Sequence, residues 1–296
     1  MNQRENLLAI FRREPFEWLP AEFNLCPSLE EEYKRRTGSH LPYQEYFEMP
    51  WRNAPDIQIP FDKNRYLSYY PDLKPGSTID LWGVAHEPGS EAAKHMTYLR
   101  SPLRGIDSLQ EIMAYPLPDF RGGDASSQKA SVEAIHARGL AACGNMQTTI
   151  WETAWYIRGM EDLMMDMMSE DPIAEYILDA VTEQSVCRAV SYARAGADFL
   201  FLGVDILNPV QPESMDFREI YREFGGKLSF HGTIGTQSTM PFGTPEEVKA
   251  KVREHMEIAS SFGGLLPAPT HLLEPEVPWE NILAYVQACR EYPVKK

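Results

Sequence analysis

Apolar and polar positions follow two different rhythms along this chain. From about Asn2 to Arg13, Leu7, Leu8, Ile10 and Phe11 recur at helical spacing and predict an amphipathic first helix. WLPAEFNL (18–25) then predicts a strand that delivers Glu22, Asn24 and Cys26 to one end. Residues 40–105 change character: they are rich in Pro, Tyr and Trp. Short alternating runs there (DIQIPF, RYLSYY, STIDLWGVAHE), broken by Asp, Pro and Gly, predict an irregular, hairpin-rich excursion from the main core.

From residue 107 onward predicted strands and helices alternate. The strands are LAACGNM (140–146), ADFLFL (197–202), VDILNP (204–209), KLSFHGTI and GLLPAPTH. Between and after them, SQKASVEAIHARG, the methionine-rich stretch from Trp151 to Arg194, MDFREIYREFGG, TPEEVKAKVREHMEIASSFGG and WENILAYVQACREY predict helices. Such alternation predicts an α/β fold with a parallel sheet and outer helices, either a barrel or a doubly wound sheet.

The ends of the predicted strands carry the chemistry. Asn145 and Gln147 follow LAACG, Asn208 and Gln211 follow VDIL, His231 follows LSF, and His271 follows GLLPAPT. Polar residues at the C-terminal ends of successive parallel strands are how a TIM (β/α)8 barrel builds its active site, so 1–296 is read as one such domain. Gly232 and Gly235 leave room for a backbone to approach a ligand beside His231. Glu22 and Asn24 end the first strand, and Asp205 is a candidate acid–base group. Asp80 and Trp82 could reach the cleft from the hairpin. His136 and His255 sit beside charged residues on helices and read as solvated surface. The methionines 160, 164, 165, 167 and 168 read as core or interface filling.

Charge narrows the partners. Lys and Arg number 28 against 43 Asp and Glu, a formal net charge of −15. That surface repels nucleic-acid phosphates and anionic lipids, so neither nucleic acid nor membrane is an expected partner. No apolar run approaches the ~20 residues that span a bilayer, and the N-terminus lacks a signal-like apolar core, which leads to a cytoplasmic expectation. Four scattered cysteines without a CxxC pair support neither a zinc ribbon nor a redox dithiol. GTIGTQ is not GxGxxG and no Walker A pattern occurs, so nucleotide binding has no support.

The stretch VDILNPVQPESMDFREIYREFGGKLSFHGTIGTQSTMPFGTPEEVKAKV, with GGLLPAPTHLLEPEVPWENILAYVQA after it, resembles the C-terminal third of the uroporphyrinogen decarboxylase superfamily. That superfamily includes methylcobamide:coenzyme M methyltransferases, and TIDLWGVAHEPGS resembles the D-x-WG hairpin of that branch. The resemblance implies a (β/α)8 barrel with a deep cleft. It implies an enzyme moving a methyl group between a corrinoid and a small thiol or methyl donor, with zinc activating the thiol and a corrinoid protein as partner. His271 and His231 would act there, beside Asn145 and Gln211. The alternative is uroporphyrinogen decarboxylase itself, with a tetrapyrrole substrate and no cofactor. A non-catalytic barrel that binds a tetrapyrrole or a corrinoid protein is a third reading.

Two departures stand out. A strand–helix unit carrying the branch's zinc-ligating His and Cys is missing between Leu202 and Val204, and His271 stands where the third ligand falls. Either a further segment separates the two runs, or ADFLFLGVDIL is one long strand in an open barrel. At the other end, EFNLCPSLEEEYKRR replaces an arginine-rich segment, so Glu22, Glu30, Glu31 and Glu32 face where a polyanionic porphyrinogen would need cations.

Overall fold

The computed structural model describes residues 1–89, 96–146, 149–200 and 205–294. Their strands are β1 (Trp51–Ala54), β2 (Thr78–Ile79), β3 (Ala85–Pro88), β4 (Thr97–Arg100), β5 (Ala141–Gly144), β6 (Phe199–Leu200), β7 (Ile206–Leu207), β8 (Ser229–His231) and β9 (Leu265–Leu266). The α/β expectation holds. A single closed barrel sheet does not appear: these strands are short, and each of the three sheets has three. The chain divides into two compact units, one of Met1–Arg52, Ala134–Cys143 and Gly203–Lys296, the other of Asn53–Glu133 and Gly144–Leu202.

The first unit is built on the parallel sheet β7–β8–β9, with Leu207 in register with Phe230 and His231 with Leu266. Its helices follow their sequence signals. Asn2 caps the helix Gln3–Arg12 in a capping box with Glu5, and Thr244 does the same with Glu247 for Pro245–Ile258. The 18–25 segment forms no full strand and bridges only at Leu25, opposite Leu273. Leu19, Ala21, Glu22, Phe23 and Leu25 are buried, while Asn24 is exposed. Helix Pro27–Thr37 follows, with Pro27 in its first turn and Lys34, Arg35 and Arg36 in its last.

The second unit holds the antiparallel sheet β2–β3–β4 and the helices Ile150–Arg158, Met160–Met168 and Pro172–Ala195. The hairpin expectation holds for β2–β4. RYLSYY instead forms a 3₁₀ helix, Lys63–Tyr69, because Asp62 caps it and Tyr66 and Tyr70 are buried together on the core. The methionine-rich stretch is broken at Gly159, whose φ of +93° ends one helix and begins the next. Its methionines do not fill the core. Met160, Met164, Met165, Met167 and Met168 are exposed, while Leu163 makes the apolar contact and Asp166 pairs with buried Arg158 at 2.7 Å.

The short strands β6 and β7 on either side of the Leu202–Val204 junction belong to different sheets. The junction itself lies outside the described residues, as does Gln147. No helix among the described residues is long and apolar enough to cross a membrane.

Candidate functional site

Glu22, His231 and Asn208, three residues singled out from sequence, meet in the first unit. β8 ends at His231 and the parallel β7 ends just before Asn208, so both side chains leave neighbouring strands at their C-terminal ends. His231 Nε2 lies 2.8 Å from Glu22 Oε2, and its Nδ1 lies 2.6 Å from Asn208 Nδ2. The same Asn208 amide donates to the His231 carbonyl at 3.0 Å.

That second bond fixes the protonation pattern. A carbonyl can only accept, so the Asn208 nitrogen, not its oxygen, must face the ring. Nδ1 therefore takes an amide hydrogen and carries none. The ring proton sits on Nε2 and is donated to the Glu22 carboxylate. The result is a neutral imidazole held between an acid and an amide, with Glu22 and His231 almost fully buried.

The surroundings lock this chain in place. Tyr285 Oη donates to the Glu22 carbonyl at 3.1 Å and accepts the Glu22 N–H at 3.2 Å, and burial pushes the Tyr285 hydroxyl pKa well above its usual value. The Trp51 ring stands 5.8 Å from the His231 ring. Gly232 has φ +74°, and a Cβ there would sit 2.6 Å from Asn208 Nδ2. Only glycine both adopts that backbone and admits the amide.

Behind the strand end, buried Thr233 bonds His255 Nδ1 at 3.0 Å. His255 is therefore not on a solvated face. Burial, then neighbouring Lys251, pulls its pKa down to about 4. The missed signal was periodicity: Val248, Val252, His255 and Met256 share one buried stripe of their helix.

The other candidates are placed as follows. Asp205 precedes β7, is exposed, and its carbonyl accepts the Ser229 N–H, so it lies at the strand end opposite Asn208. Asn24 is exposed and its carbonyl pairs with the Leu273 N–H. Gln211 is half-buried and opens the turn that ends in Ser214. His271 is exposed and follows buried Thr270, whose hydroxyl lies 3.0 Å from that of Thr236. Asn145, Asp80 and Trp82 belong to the second unit. There the D-x-WG motif is a turn: Asp80 accepts the N–H groups of Trp82 and Val84, Trp82 packs on Phe120, and Gly83 has φ +80° with Tyr66 and Tyr115 against it.

Among the described residues no three His, Cys, Asp or Glu side chains gather as metal ligands would. The three-ligand donor set that catalytic zinc requires is thus not assembled among the described residues.

No family model and no curated protein matches this sequence. The fold is similar to that of a methyltransferase from Methanosarcina mazei, with a TM-score of 0.59 and 15% identity over 98% of this chain and 99% of that one. At that identity the likeness speaks for the fold alone.

Proposed function

We propose that this protein is a methyl-transferring enzyme of the uroporphyrinogen decarboxylase superfamily, a (β/α)8-type barrel lacking one strand–helix unit, with a small thiol as methyl acceptor. A methylated corrinoid co-substrate, when bound, supplies the methyl group. The observation that carries the reading is the Glu22–His231–Asn208 chain, its carboxylate and imidazole buried and its His231 and Asn208 at the ends of adjacent parallel strands, in a fold similar to that of a methyltransferase.

The residues give the thiol a proton acceptor. His231 Nδ1 holds a lone pair that Asn208 occupies at rest, and an entering thiol displaces that amide. The S–H proton passes to Nδ1, and the thiolate is the nucleophile. Glu22, already bonded to Nε2, stabilises the imidazolium that forms. His271, exposed after β9, is proposed as a rim residue that meets the substrate.

The test is methyl transfer from methylcobalamin to a panel of small thiols, read as thioether by mass spectrometry. The wild-type chain is expected to form thioether above a protein-free control. His231→Gln should lose most of that rate, and His271→Ala should lower it with an unchanged fold. A corrinoid absorbance change without thioether would favour the binding-protein reading; no response to any thiol would end the enzyme proposal.

A further inference from the structure

The hairpin bearing the D-x-WG motif holds a second histidine relay that the proposed methyl transfer does not use. Asp80 Oδ1 accepts the N–H of Trp82 at 2.9 Å and of Val84 at 3.0 Å, so the turn itself fixes the carboxylate. Asp80 Oδ2 lies 3.0 Å from His86 Nε2. A carboxylate only accepts, so in the neutral ring the proton is on Nε2 and Nδ1 keeps its lone pair. Thr97 Oγ1 lies 3.2 Å from that Nδ1, and the hydrogen in this contact is the hydroxyl's own.

Carboxylate, imidazole and hydroxyl thus stand in sequence: a nucleophile in reach of a base, and the base oriented by a third group. The sheet sets the spacing. β3 carries His86 between β2 and β4, with His86 in register with Thr78 and Leu99, and Thr97 two residues from Leu99 as the same-face diagonal neighbour, opposite Pro88. Thr97 is exposed, and about a quarter of the His86 side chain is open to water, so a reagent can reach the oxygen.

We propose that Thr97 is an acyl-acceptor site, taking its acyl group from an activated ester or thioester. Thr97 Oγ1 attacks the carbonyl carbon while its proton passes to His86 Nδ1, and Asp80 stabilises the imidazolium. Collapse of the tetrahedral adduct breaks the bond to the alcohol or thiol leaving group. That group takes the proton from His86. The products are an acyl ester on Thr97 and a neutral alcohol or thiol, with no other reactant.

The test treats the full chain with p-nitrophenyl acetate and maps acetylation by mass spectrometry. Thr78, also exposed and directly opposite His86 in register, is the internal reference. General-base help is worth about 10²-fold or more, so Thr97 should carry far more acetyl than Thr78. His86→Gln should bring Thr97 down to the Thr78 level, and Thr97→Ser should keep the labelling. Asp80 also caps the turn, so Asp80→Asn is informative only with circular dichroism matching the wild type; His86→Gln does not depend on it. Equal labelling of the two threonines, or Thr97 labelling that survives His86→Gln, overturns the proposal.

Discussion

His231 and His86 each sit between a carboxylate and a neutral hydrogen-bonding group, and they differ mainly in water. His231 and Glu22 have side chains 7% and 4% exposed; His86 and Asp80 have 26% and 34%. The distances are similar, 2.8 and 3.0 Å. Similar geometry does not mean similar energy. Inside, each partner is the other's replacement for solvent, and losing one leaves a buried polar group unpaired. At the surface, water competes for both, and the pair adds little to stability. What an exposed pair retains is access, which a nucleophile needs and a structural contact does not.

The largest expected effect is therefore at the buried pair. His231→Ala leaves the Glu22 carboxylate buried without its donor, at a cost of about 3–5 kcal/mol in urea-unfolding stability near neutral pH. Glu22→Gln should cost less, because an amide oxygen still accepts from Nε2. A His231→Ala loss below that of Glu22→Gln would mean that water reaches the pair, and the contrast with His86 would collapse.

His255 sharpens the same point, being a buried histidine bonded to a threonine in place of a carboxylate. Its pKa falls to about 4 from an unfolded value of 6.5. Between those values the unfolded chain binds a proton that the folded chain refuses. Stability is thus fully present above pH 6.5 and is lost as pH falls toward 4, by on the order of 3 kcal/mol in all. Denaturation midpoints across that window should slope for the wild type and flatten in His255→Gln; equal slopes would remove this residue from the account.

Much of this was legible in sequence, for physical reasons that differ by residue. Helix caps such as Asn2 and Thr244 are local, because the capping hydrogen bond spans three residues. His231 and Asn208 were legible because strand ends in a parallel sheet converge whatever the sheet's closure. Their partnership with Glu22 was not, since it joins positions 209 residues apart. Asp205 misled: an apolar run names the strand but not which end of it a flanking aspartate occupies. Asp80 looked like a cleft residue, yet its Oδ1 serves a turn, a role written in the spacing to Trp82 and Val84.

A smaller effect lies at the glycine that shapes the buried site. Gly232→Ala places a residue at φ +74° and drives a Cβ to 2.6 Å from Asn208 Nδ2, for an expected cost of about 2 kcal/mol. Gly38→Ala is the reference, with φ +64° and no atom within 4 Å of the added Cβ. The excess of the first loss over the second reads chiefly the Asn208 contact, since Pro269 O and Pro209 Cβ lie at 3.5 and 3.6 Å, ordinary contact distances. Equal losses would show that Asn208 moves aside freely and does not hold His231 Nδ1.

The smallest expected effect is the coupling between His86 and Asp80. A double-mutant cycle with His86→Gln and Asp80→Asn isolates it, because the cost of weakening the turn cap is common to both Asp80 variants and cancels. With both side chains a quarter to a third exposed, solvent screening should hold the coupling to about 0.2–1 kcal/mol, falling further in high salt. A coupling above that range would mean that the hairpin shields the pair as the first unit shields Glu22 and His231. Thr97 would then be a satisfied structural hydroxyl, and its acylation should fail in the same protein. A weak coupling together with strong, His86-dependent labelling of Thr97 separates the two functions of one geometry: stability inside the fold, reactivity at its surface.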